Sequence, residues 1–336
     1  MSIKKIKYSV ICSGIISLSL FYVSSFNTSA QDAVYSQFMF DALSVNPGLA
    51  GINNYNKVTV GFRDQWVQMP HAYLTYFASY DQNIELINSG IGVQIYRDVS
   101  GGIYSRTSGE LYYSYHFQLA NKIVVSPGLQ LALVQRSFDS QGLTGPDPNT
   151  PLLLENRSNL FPDFGFGTVI NFSDRLSFGV AAHHLNGPPE TLSEINDKKT
   201  PLSLSAHFIS YFPLNFGKFK REQFVISPGA YFRTQQYQNF LSVGTNIAYD
   251  PVFVGIWMRV SAFAPEAAIF MVGLEMYDFR IVYNFDYKLA NAKSEFPGTG
   301  AHEITLTWKI HPPKQMRTIK CSKFSLSSMS SSKRKY

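Results

Sequence analysis

Strict alternation of apolar and polar side chains constrains the fold of this chain more than any other feature of its sequence. In the run Glu303–His311 the apolar side chains are those of Ile304, Leu306, Trp308 and Ile310, and the intervening residues are polar or charged. A period of two predicts a β-strand with one apolar and one polar face. About nine residues also suffice for a tilted strand to cross a bilayer. Because a soluble sandwich can contain one such strand, the number of repeats has to decide between the two folds.

Runs of this kind continue along the chain from residue 57 onwards. The fourteen runs that we predict are 57–65, 73–81, 90–98, 105–117, 122–136, 161–172, 175–184, 201–212, 222–234, 239–249, 251–260, 267–277, 278–288 and 301–311. An even number of alternating strands is typical of bacterial outer-membrane barrels. The sequence therefore predicts an all-β fold, a single antiparallel outer-membrane β-barrel of about 14 strands, in which 301–311 pairs with 57–65 to close the ring.

The links between these runs also favour a barrel, because outer-membrane barrels have short periplasmic turns and longer external loops. With a periplasmic N-terminus, the external side receives the long links 137–160, 185–200 and 289–300. The tightest links all fall on the periplasmic side, at Ser173-Asp174, Asp250-Pro251 and Tyr277-Asp278. Charged residues are 15% of the chain, against a usual quarter, and aromatic residues are also 15%. This composition suits a surface in contact with lipid.

Two prolines fall inside predicted strands. Pro127 and Pro228 occur in the similar pieces VSPG at 125–128 and ISPG at 226–229. Proline lacks the N–H group that a sheet ladder uses, so we expect a β-bulge at each position.

The two ends of the chain differ in composition from the middle. Residues 1–30 combine three lysines, an apolar run and small residues before Gln31, which is the pattern of a secretory signal peptide. Residues 312–336 carry seven of the 29 basic residues and no acidic one. The remaining 19 basic residues oppose 23 acidic ones in 31–311, so the net charge of +6 does not indicate nucleic-acid binding. The predicted organisation is a signal peptide at 1–30, an N-terminal periplasmic or plug segment at 31–54, a transmembrane barrel at 55–311 and a basic periplasmic tail at 312–336.

Two segments near the N-terminus are candidate contact sites, and each has a purely structural alternative. The turn-rich segment Asn46–Gly51 can fold under or into the barrel as a plug, or it can be a plain lead-in turn. Arg63, Gln65 and Trp66 can form a contact site at the outer end of the first strand. Alternatively, Trp66 belongs to an aromatic girdle at the membrane interface and Arg63 is a charge in the lumen.

Two residue pairs could indicate a metal site or a serine hydrolase, but neither pair has the arrangement that such a site needs. His183 and His184 are neighbours on a predicted strand and point to opposite faces, so they cannot share one metal ion. Ser205 and His207 share a face, but no orienting group or oxyanion site can be located for them. We therefore predict a protein that is not an enzyme and that uses no metal or cofactor.

Five short pieces of the chain form a recognisable pattern. They are YSQFMF at Tyr35–Phe40, NPGLAG at Asn46–Gly51, RDQW at Arg63–Trp66, HEITL at His302–Leu306 and CSKF at Cys321–Phe324. Together they resemble the PorP/SprF family of the Bacteroidetes type IX secretion system, and the resemblance covers nearly the whole chain after residue 30. The chain departs from the family pattern at Ser322, where relatives often have proline, and in its serine-rich basic end.

The resemblance implies a non-enzymatic outer-membrane barrel of the secretion and gliding machinery. Its implied partners are membrane lipid, the periplasmic ring lipoprotein with its own partner, and the C-terminal domains of secreted adhesins, whose export or anchoring it supports. The candidate partner-contact residues are Gln37, Phe38, Asn46, Pro47, Gly51, Arg63, Gln65, Trp66, Lys320, Cys321, Lys323 and Phe324. The alternative is a diffusion porin or solute transporter of the outer membrane, which shares the same strand pattern.

Overall fold

The alternating runs form one antiparallel sheet that closes on itself. The computed structural model describes residues 36, 38–53, 55–67, 73–139, 156–173, 175–189, 199–214, 224–236, 238–261, 264–289 and 300–311. All of them belong to the compact unit Ala33–Tyr336. Within these ranges the helical elements are α1 (Ala42–Val45) and the 3-10 turns Pro47–Leu49 and Glu85–Ile87.

The strands are β1 (Asn56–Gln65), β2 (Tyr73–Ile84), β3 (Ser89–Ser100), β4 (Tyr104–Tyr115), β5 (Phe117–Ala120), β6 (Ile123–Phe138), β7 (Arg157–Phe172), β8 (Leu176–His183), β9 (Ser203–Ser210), β10 (Phe212–Leu214), β11 (Phe224–Gln235), β12 (Gln238–Tyr249), β13 (Val252–Ser261), β14 (Ala264–Met276), β15 (Phe279–Lys288) and β16 (Ala301–Ile310). β5 continues β4 after His116, and β10 continues β9 after Tyr211, so these segments form a barrel of 14 strands.

The ring closes between its first and last strands. β1 pairs antiparallel with β16 in unbroken register from Asn56↔Ile310 to Gln65↔Ala301. The predicted 14-stranded barrel and its closing pair of strands are therefore confirmed.

The two faces of the barrel wall have opposite character. In β16, Thr305 and Thr307 are 1% and 4% exposed, whereas Leu306 and Trp308 are 47% and 48% exposed. The same alternation holds around the ring, where polar side chains face the interior and large apolar ones face outwards. An apolar outer band with a polar interior is the surface pattern of a transmembrane barrel.

Helices play no comparable part in the described residues. Among them, no helix is long and apolar enough to span a membrane.

The strand ends define two rims of the barrel. The terminal rim, where Asn56 and Ile310 lie, carries tight turns such as 121–122 and 277–278. The loop rim, at the other end of the strands, carries the long links 139–156 and 184–202. The three longest links, 139–156, 184–202 and 289–300, therefore lie at the loop rim, as the sequence predicts. The segregation is incomplete, because the loop rim also carries the two-residue links 236–237 and 262–263, and the terminal rim carries the nine-residue link 215–223. The assignment of the terminal rim to the periplasm stays a prediction.

The expected β-bulges at Pro127 and Pro228 are wrong. β6 pairs with β7 through Pro127↔Thr168, and β11 pairs with β12 through Pro228↔Thr245, with no shift of register at either proline. The missing N–H interrupts the ladder on the opposite edge instead, where the neighbouring strand breaks at His116 and at Tyr211. No residue is inserted at either break, so the register is the same on both sides of it; the pairing of β5 with β6 shifts only farther on, between Gln118 and Ala120.

Candidate functional site

A stretch of chain before β1 lies inside the ring; we call residues 36 and 38–53 the luminal segment. Its neighbours on the wall are Arg63 (β1), Asp81 (β2), Gln94 (β3), Ser114 (β4), Ser126 (β6), Thr168 (β7), Val180 (β8), Ser205 (β9), Tyr231 (β11), Asn246 (β12), Trp257 (β13), Asp286 (β15) and Glu303 (β16). A single segment can contact strands on all sides of a barrel only from the lumen. Almost every described residue of the segment is buried.

Local sequence chemistry builds the central turn of the luminal segment. Asn46 precedes the 3-10 turn, and its side-chain Oδ1 accepts a hydrogen bond from the Gly48 backbone N–H at 2.8 Å. Pro47 occupies the first position of the turn, where its fixed φ is favourable and its missing N–H costs nothing. Asparagine followed by proline and glycine thus closes a turn using its own side chain.

The same asparagine fixes this turn to the wall. The Nδ2 group of Asn46 donates hydrogen bonds to the backbone oxygens of Thr168 on β7 (3.2 Å) and Val180 on β8 (2.9 Å). The Asn46 side chain is fully buried. Leaving a buried amide group unpaired costs about 1–3 kcal/mol, so this residue strongly favours the docked turn.

Gly51 ends the turn in a conformation that suits glycine. Its φ of +61° lies in the left-handed region. Its N–H donates to Asp81 Oδ1 at 2.5 Å, and its carbonyl oxygen accepts from Asn83 Nδ2 at 2.5 Å. β2 therefore holds both polar groups of this residue as the chain turns towards β1.

Glycines in the wall make room for the turn. A Cβ atom would lie 2.0 Å from the Ala50 oxygen if added at Gly90, 2.4 Å from the Gly48 nitrogen if added at Gly128, and 2.2 Å from Asn46 Oδ1 if added at Gly167. Contacts below 3.0 Å are too short for a real Cβ, so the segment fits against this part of the wall only because the wall has glycine at these positions. Gly109 is different, because a Cβ there meets nothing within 4 Å.

A buried ion-pair cluster holds the start of the luminal segment near the loop rim. Arg63 donates to Ser36 Oγ (2.9 Å), to Glu303 Oε2 (2.9 Å) and to Asp286 Oδ2 (3.0 Å). The Ser36 hydroxyl donates to Asp286 at 2.5 Å, and its backbone N–H donates to Glu303 at 3.1 Å. Arg259 donates to the same hydroxyl at 2.6 Å. Two arginines and two carboxylates from β1, β13, β15 and β16 therefore surround one serine.

Aromatic contacts fix the part of the segment that follows. The Phe38 ring stacks on Tyr231 at a centroid distance of 4.9 Å and meets Trp257 edge-on at 5.3 Å. Phe40 stacks on Phe253 at 5.9 Å, and the Arg280 guanidinium lies 5.6 Å from the Phe40 ring centre. Such contacts add about 0.5–1.5 kcal/mol each beyond simple burial.

Asp41, the residue just before α1, has a buried carboxyl group whose ionisation is unfavourable. Gln94 Nε2 donates to Asp41 Oδ1 at 2.9 Å, and Ser44 Oγ donates to Gln94 Oε1 at 3.1 Å. Burial raises the pKa of Asp41 to about 6, and the nearby Glu110 charge acts in the same direction, whereas hydrogen bonds from Ser44 and Gln94 oppose the shift. Burial disfavours the charged form, and this effect outweighs the hydrogen bonds.

Five of the candidate contact residues lie in or against the lumen. Phe38, Asn46, Pro47 and Gly51 belong to the luminal segment, and Arg63 is 3% exposed and bonded to Ser36. These positions fit the alternatives in which Asn46–Gly51 enters the barrel and Arg63 is a lumen charge. A role for any of the five in contacting a partner stays a prediction.

The other candidates are at the loop rim or outside the described residues. Gln65 ends β1, and Trp66 follows it with φ +66°, its N–H bonded to the Gly300 oxygen at 3.0 Å and its ring edge-on to Tyr73 at 4.9 Å. The candidates Gln37, Lys320, Cys321, Lys323 and Phe324 lie outside the described residues, as do the predicted signal peptide and basic tail.

The histidines and the serine that were weighed as metal or catalytic residues hydrogen-bond to neighbouring groups of the protein. His183 Nδ1 is 2.7 Å from Gln130 Oε1 and His184 Nδ1 is 2.6 Å from Asp163 Oδ2, so the two rings have different partners. Ser205 Oγ donates to the Val45 oxygen of the luminal segment at 3.3 Å. Within the described ranges, no group of three or more histidine, cysteine, aspartate or glutamate side chains is arranged to hold a metal ion.

Sequence reasoning missed most of the wall that meets the luminal segment. Ser36 of the luminal segment and its wall partners Arg259, Asp286 and Glu303 were not among the candidate contact residues, although the three wall residues fall on the inward face that the alternation defines. Charged residues at inward positions of barrel strands were the signal that could have found the last three. The wall glycines carry no comparable signal, because glycine occurs in strands for many reasons.

Comparisons with known proteins give one family and several solved barrels. A family model described as "Type IX secretion system membrane protein PorP/SprF" matches residues 27–308. Among solved structures, the chain is similar to a Pseudomonas aeruginosa FadL homologue, with 13% identity and a TM-score of 0.44 over 79% of this chain and 93% of that one. It is also similar to the P. putida toluene transporter TodX, with 10% identity and a TM-score of 0.49 over 82% of this chain and 95% of that one. No curated protein matches it.

Proposed function

Because the chain belongs to the PorP/SprF family of type IX secretion system membrane proteins, we propose that it works by binding proteins of that system and has no enzymatic activity of its own. It is an outer-membrane β-barrel whose wall is closed and whose outer face is apolar. The proposed partners are the periplasmic ring lipoprotein with its own partner, and the C-terminal domains of secreted adhesins, whose export or surface anchoring it supports.

The occupied lumen is the observation that carries this proposal. A diffusion porin needs a water-filled channel, whereas here the luminal segment meets inward-facing residues on strands all around the ring. The segment is held by hydrogen bonds from Ser36 to the buried ion-pair cluster and by the buried side chain of Asn46. A barrel filled in this way is better suited to holding partners at its rims than to passing solutes.

Two groups of residues are proposed to meet those partners. Gln65 and Trp66 lie at the loop rim next to the link between β1 and β2. The second group is Lys320, Cys321, Lys323 and Phe324, with the basic residues directed to acidic surfaces of a periplasmic partner. Arg63 and Asn46 are proposed to act indirectly, by fixing the luminal segment.

Affinity capture tests the proposal directly. The full chain, tagged and extracted from envelopes in mild detergent, is expected to recover ring components or a large adhesin. The variant Gln65→Ala/Trp66→Ala is expected to recover less of a partner bound at the loop rim. Arg97→Ala is the control, because Arg97 is exposed on β3 near the same rim. Recovery of none of these proteins by the wild-type chain would count against the proposal.

Conductance separates the proposal from the porin alternative. In planar bilayers the wild-type chain is expected to conduct far less than an open porin of 14 strands. Gly48→Val is expected to raise conductance, since a Cβ at Gly48 would lie 2.3 Å from the Ser126 oxygen and would expel the turn. A large, steady conductance in the wild type, together with normal adhesin export in a deletion strain, would favour the porin.

A further inference from the structure

The part of the wall that contacts Asn46–Gly51 has the properties of a peptide-binding groove. We call this groove the NPG groove; it is formed by Gly90 and Ser114 with Gly128, Gly167 and Val180, on β3, β4, β6, β7 and β8. Its contacts to the luminal segment are hydrogen bonds and van der Waals contacts between residues far apart in sequence. Nothing in such contacts requires the ligand to belong to the same chain.

The NPG groove distinguishes side chains at specific positions of its ligand. At position 46 it offers two backbone oxygens, from Thr168 and Val180, that match one side-chain amide. At position 48 a Cβ would lie 2.3 Å from the Ser126 oxygen, so glycine is required. A site with buried groups that need a specific donor rejects ligands that lack it far more strongly than a purely apolar site does.

Glycine is required again at position 51, for two reasons. Its φ is +61°, and a Cβ there would lie 2.4 Å from the Gly90 Cα. Between these positions the Ser114 hydroxyl donates to the Ala50 backbone oxygen at 2.6 Å, which fixes the register of the ligand without selecting a side chain. The groove therefore selects the pattern Asn-Pro-Gly followed three residues later by a second glycine.

We propose that the NPG groove is a sequence-selective binding site for a polypeptide segment of the pattern Asn-Pro-Gly-Leu-Ala-Gly, filled in this chain by residues 46–51 and able to accept the same sequence from a separate peptide. This inference rests on the proposed function, in which the barrel binds polypeptides and has a closed lumen. It adds the class of ligand, which is an unfolded segment with a compact turn.

The tether explains why the resident segment normally fills the groove. Residues 52–55 join Gly51 to the start of β1, and a short link of this kind keeps a ligand at an effective concentration on the order of millimolar. A free peptide at micromolar concentration therefore cannot displace the resident segment of the wild type. It can bind only when the resident sequence no longer fits.

The test uses the full chain with an unchanged barrel wall and with substitutions in residues 46–51 that prevent them from fitting the groove. The variant Asn46→Ala/Gly48→Val removes the amide and adds the side chain that the wall excludes. A fluorescently labelled peptide with the wild-type sequence of residues 44–53, which covers the part of the segment that meets the NPG groove, is added, and its anisotropy is measured. We expect saturable binding to the double variant, at least tenfold tighter than to the wild-type chain. The same peptide with Asn46→Ala is expected to bind at least tenfold more weakly.

Three results would overturn the proposal. One is equal binding of both peptides by the double variant, which would mean that the wall does not recognise the asparagine. Another is no binding of either peptide by a folded double variant. The third is a resident turn that stays docked despite the substitutions, shown by a conductance of the double variant as low as that of the wild-type chain. Should the double variant fail to fold, Asn46→Ala alone is tested against the same outcomes.

A wall variant supplies the matched control. Introducing Gly167→Leu into the double variant fills the place of the Asn46 side chain, and it is expected to abolish peptide binding. Gly109→Leu in the same background is expected to leave peptide binding unchanged, because a Cβ at Gly109 meets no atom within 4 Å. Failure of peptide binding with normal capture of envelope partners would reject the NPG groove alone. Failure of capture with normal peptide binding would reject the proposed function alone.

Discussion

Removal of the Arg63 guanidinium should destabilise the barrel more than any other single change near the loop rim. Arg63→Met keeps an extended apolar side chain but deletes three charge-assisted hydrogen bonds, to Ser36, Glu303 and Asp286. Two carboxylates then face the one remaining arginine of the cluster, Arg259. Breaking a buried ion pair by removing one partner costs about 3–5 kcal/mol, because the other charge is left uncompensated. We expect a loss of this size in the free energy of unfolding.

The assay is urea unfolding of the refolded full chain in lipid vesicles, followed by tryptophan fluorescence and by the mobility of unheated samples on gels. With a slope of about 3 kcal/mol per molar urea, the expected loss lowers the midpoint by roughly 1–2 M. Arg97→Met is the control, since Arg97 is exposed on β3. An exposed substitution of this kind should change stability by no more than about 0.5 kcal/mol.

A second substitution tests the reason for the loss. Glu303→Gln removes one of the two carboxylates that Arg63 neutralises, so the variant Arg63→Met/Glu303→Gln should be more stable than the sum of the single effects implies. Residues in one ion-pair network show coupling energies of about 0.5–3 kcal/mol. Additive losses, or a loss in Arg63→Met no larger than in Arg97→Met, would refute the view that the buried charges hold the cluster together.

The remaining predictions concern the lumen and the outer face. The folded pKa of Asp41 is raised to about 6, so the folded state favours the neutral carboxyl group and loses stability as the pH rises from about 4 through 6. The free energy of unfolding of Asp41→Asn, relative to that of the wild type, should therefore rise by about 2 kcal/mol between pH 4.5 and 7.5. Urea midpoints of both proteins at the two pH values measure this difference. An unchanged difference between the two proteins across this range would contradict the buried, ionisable Asp41. Gly167→Ala should cost about 1–3 kcal/mol in the same unfolding assay because its Cβ meets Asn46, while Gly109→Ala should have little effect. Leu306→Arg places a charge on the lipid-facing side of β16 and should lower the free energy of unfolding in vesicles by about 2–4 kcal/mol. Leu86→Arg, at a terminal-rim position that is 92% exposed, should lower it by about 0–1 kcal/mol. Equal losses would contradict the assignment of Leu306 to lipid.

Some features of the barrel follow from single strands and could be predicted from them. Alternation places Leu306 and Trp308 on one face of β16 and Thr305 and Thr307 on the other, whatever the strand pairs with. Fourteen such runs with the longest links at one end of the strands favour a closed antiparallel ring, and the strand that closes it follows from the order of the chain. These are local properties, and the structure agrees with them.

Other features depend on register and on the path of the chain through the lumen, which no local pattern encodes. Ser36 meets Asp286 and Glu303 across separations of 250 and 267 residues, because the stagger of the strands brings β15 and β16 beside the start of the luminal segment. The groove around Asn46 depends likewise on glycines from separate strands that reach one level in the wall. The prolines show the same difference. The sequence predicts that a ladder hydrogen bond is missing at Pro127 and at Pro228. Whether the sheet has a bulge or a gap in the neighbouring strand there depends on how that strand pairs. A missing donor is a property of one residue, whereas its consequence is a property of the assembled sheet.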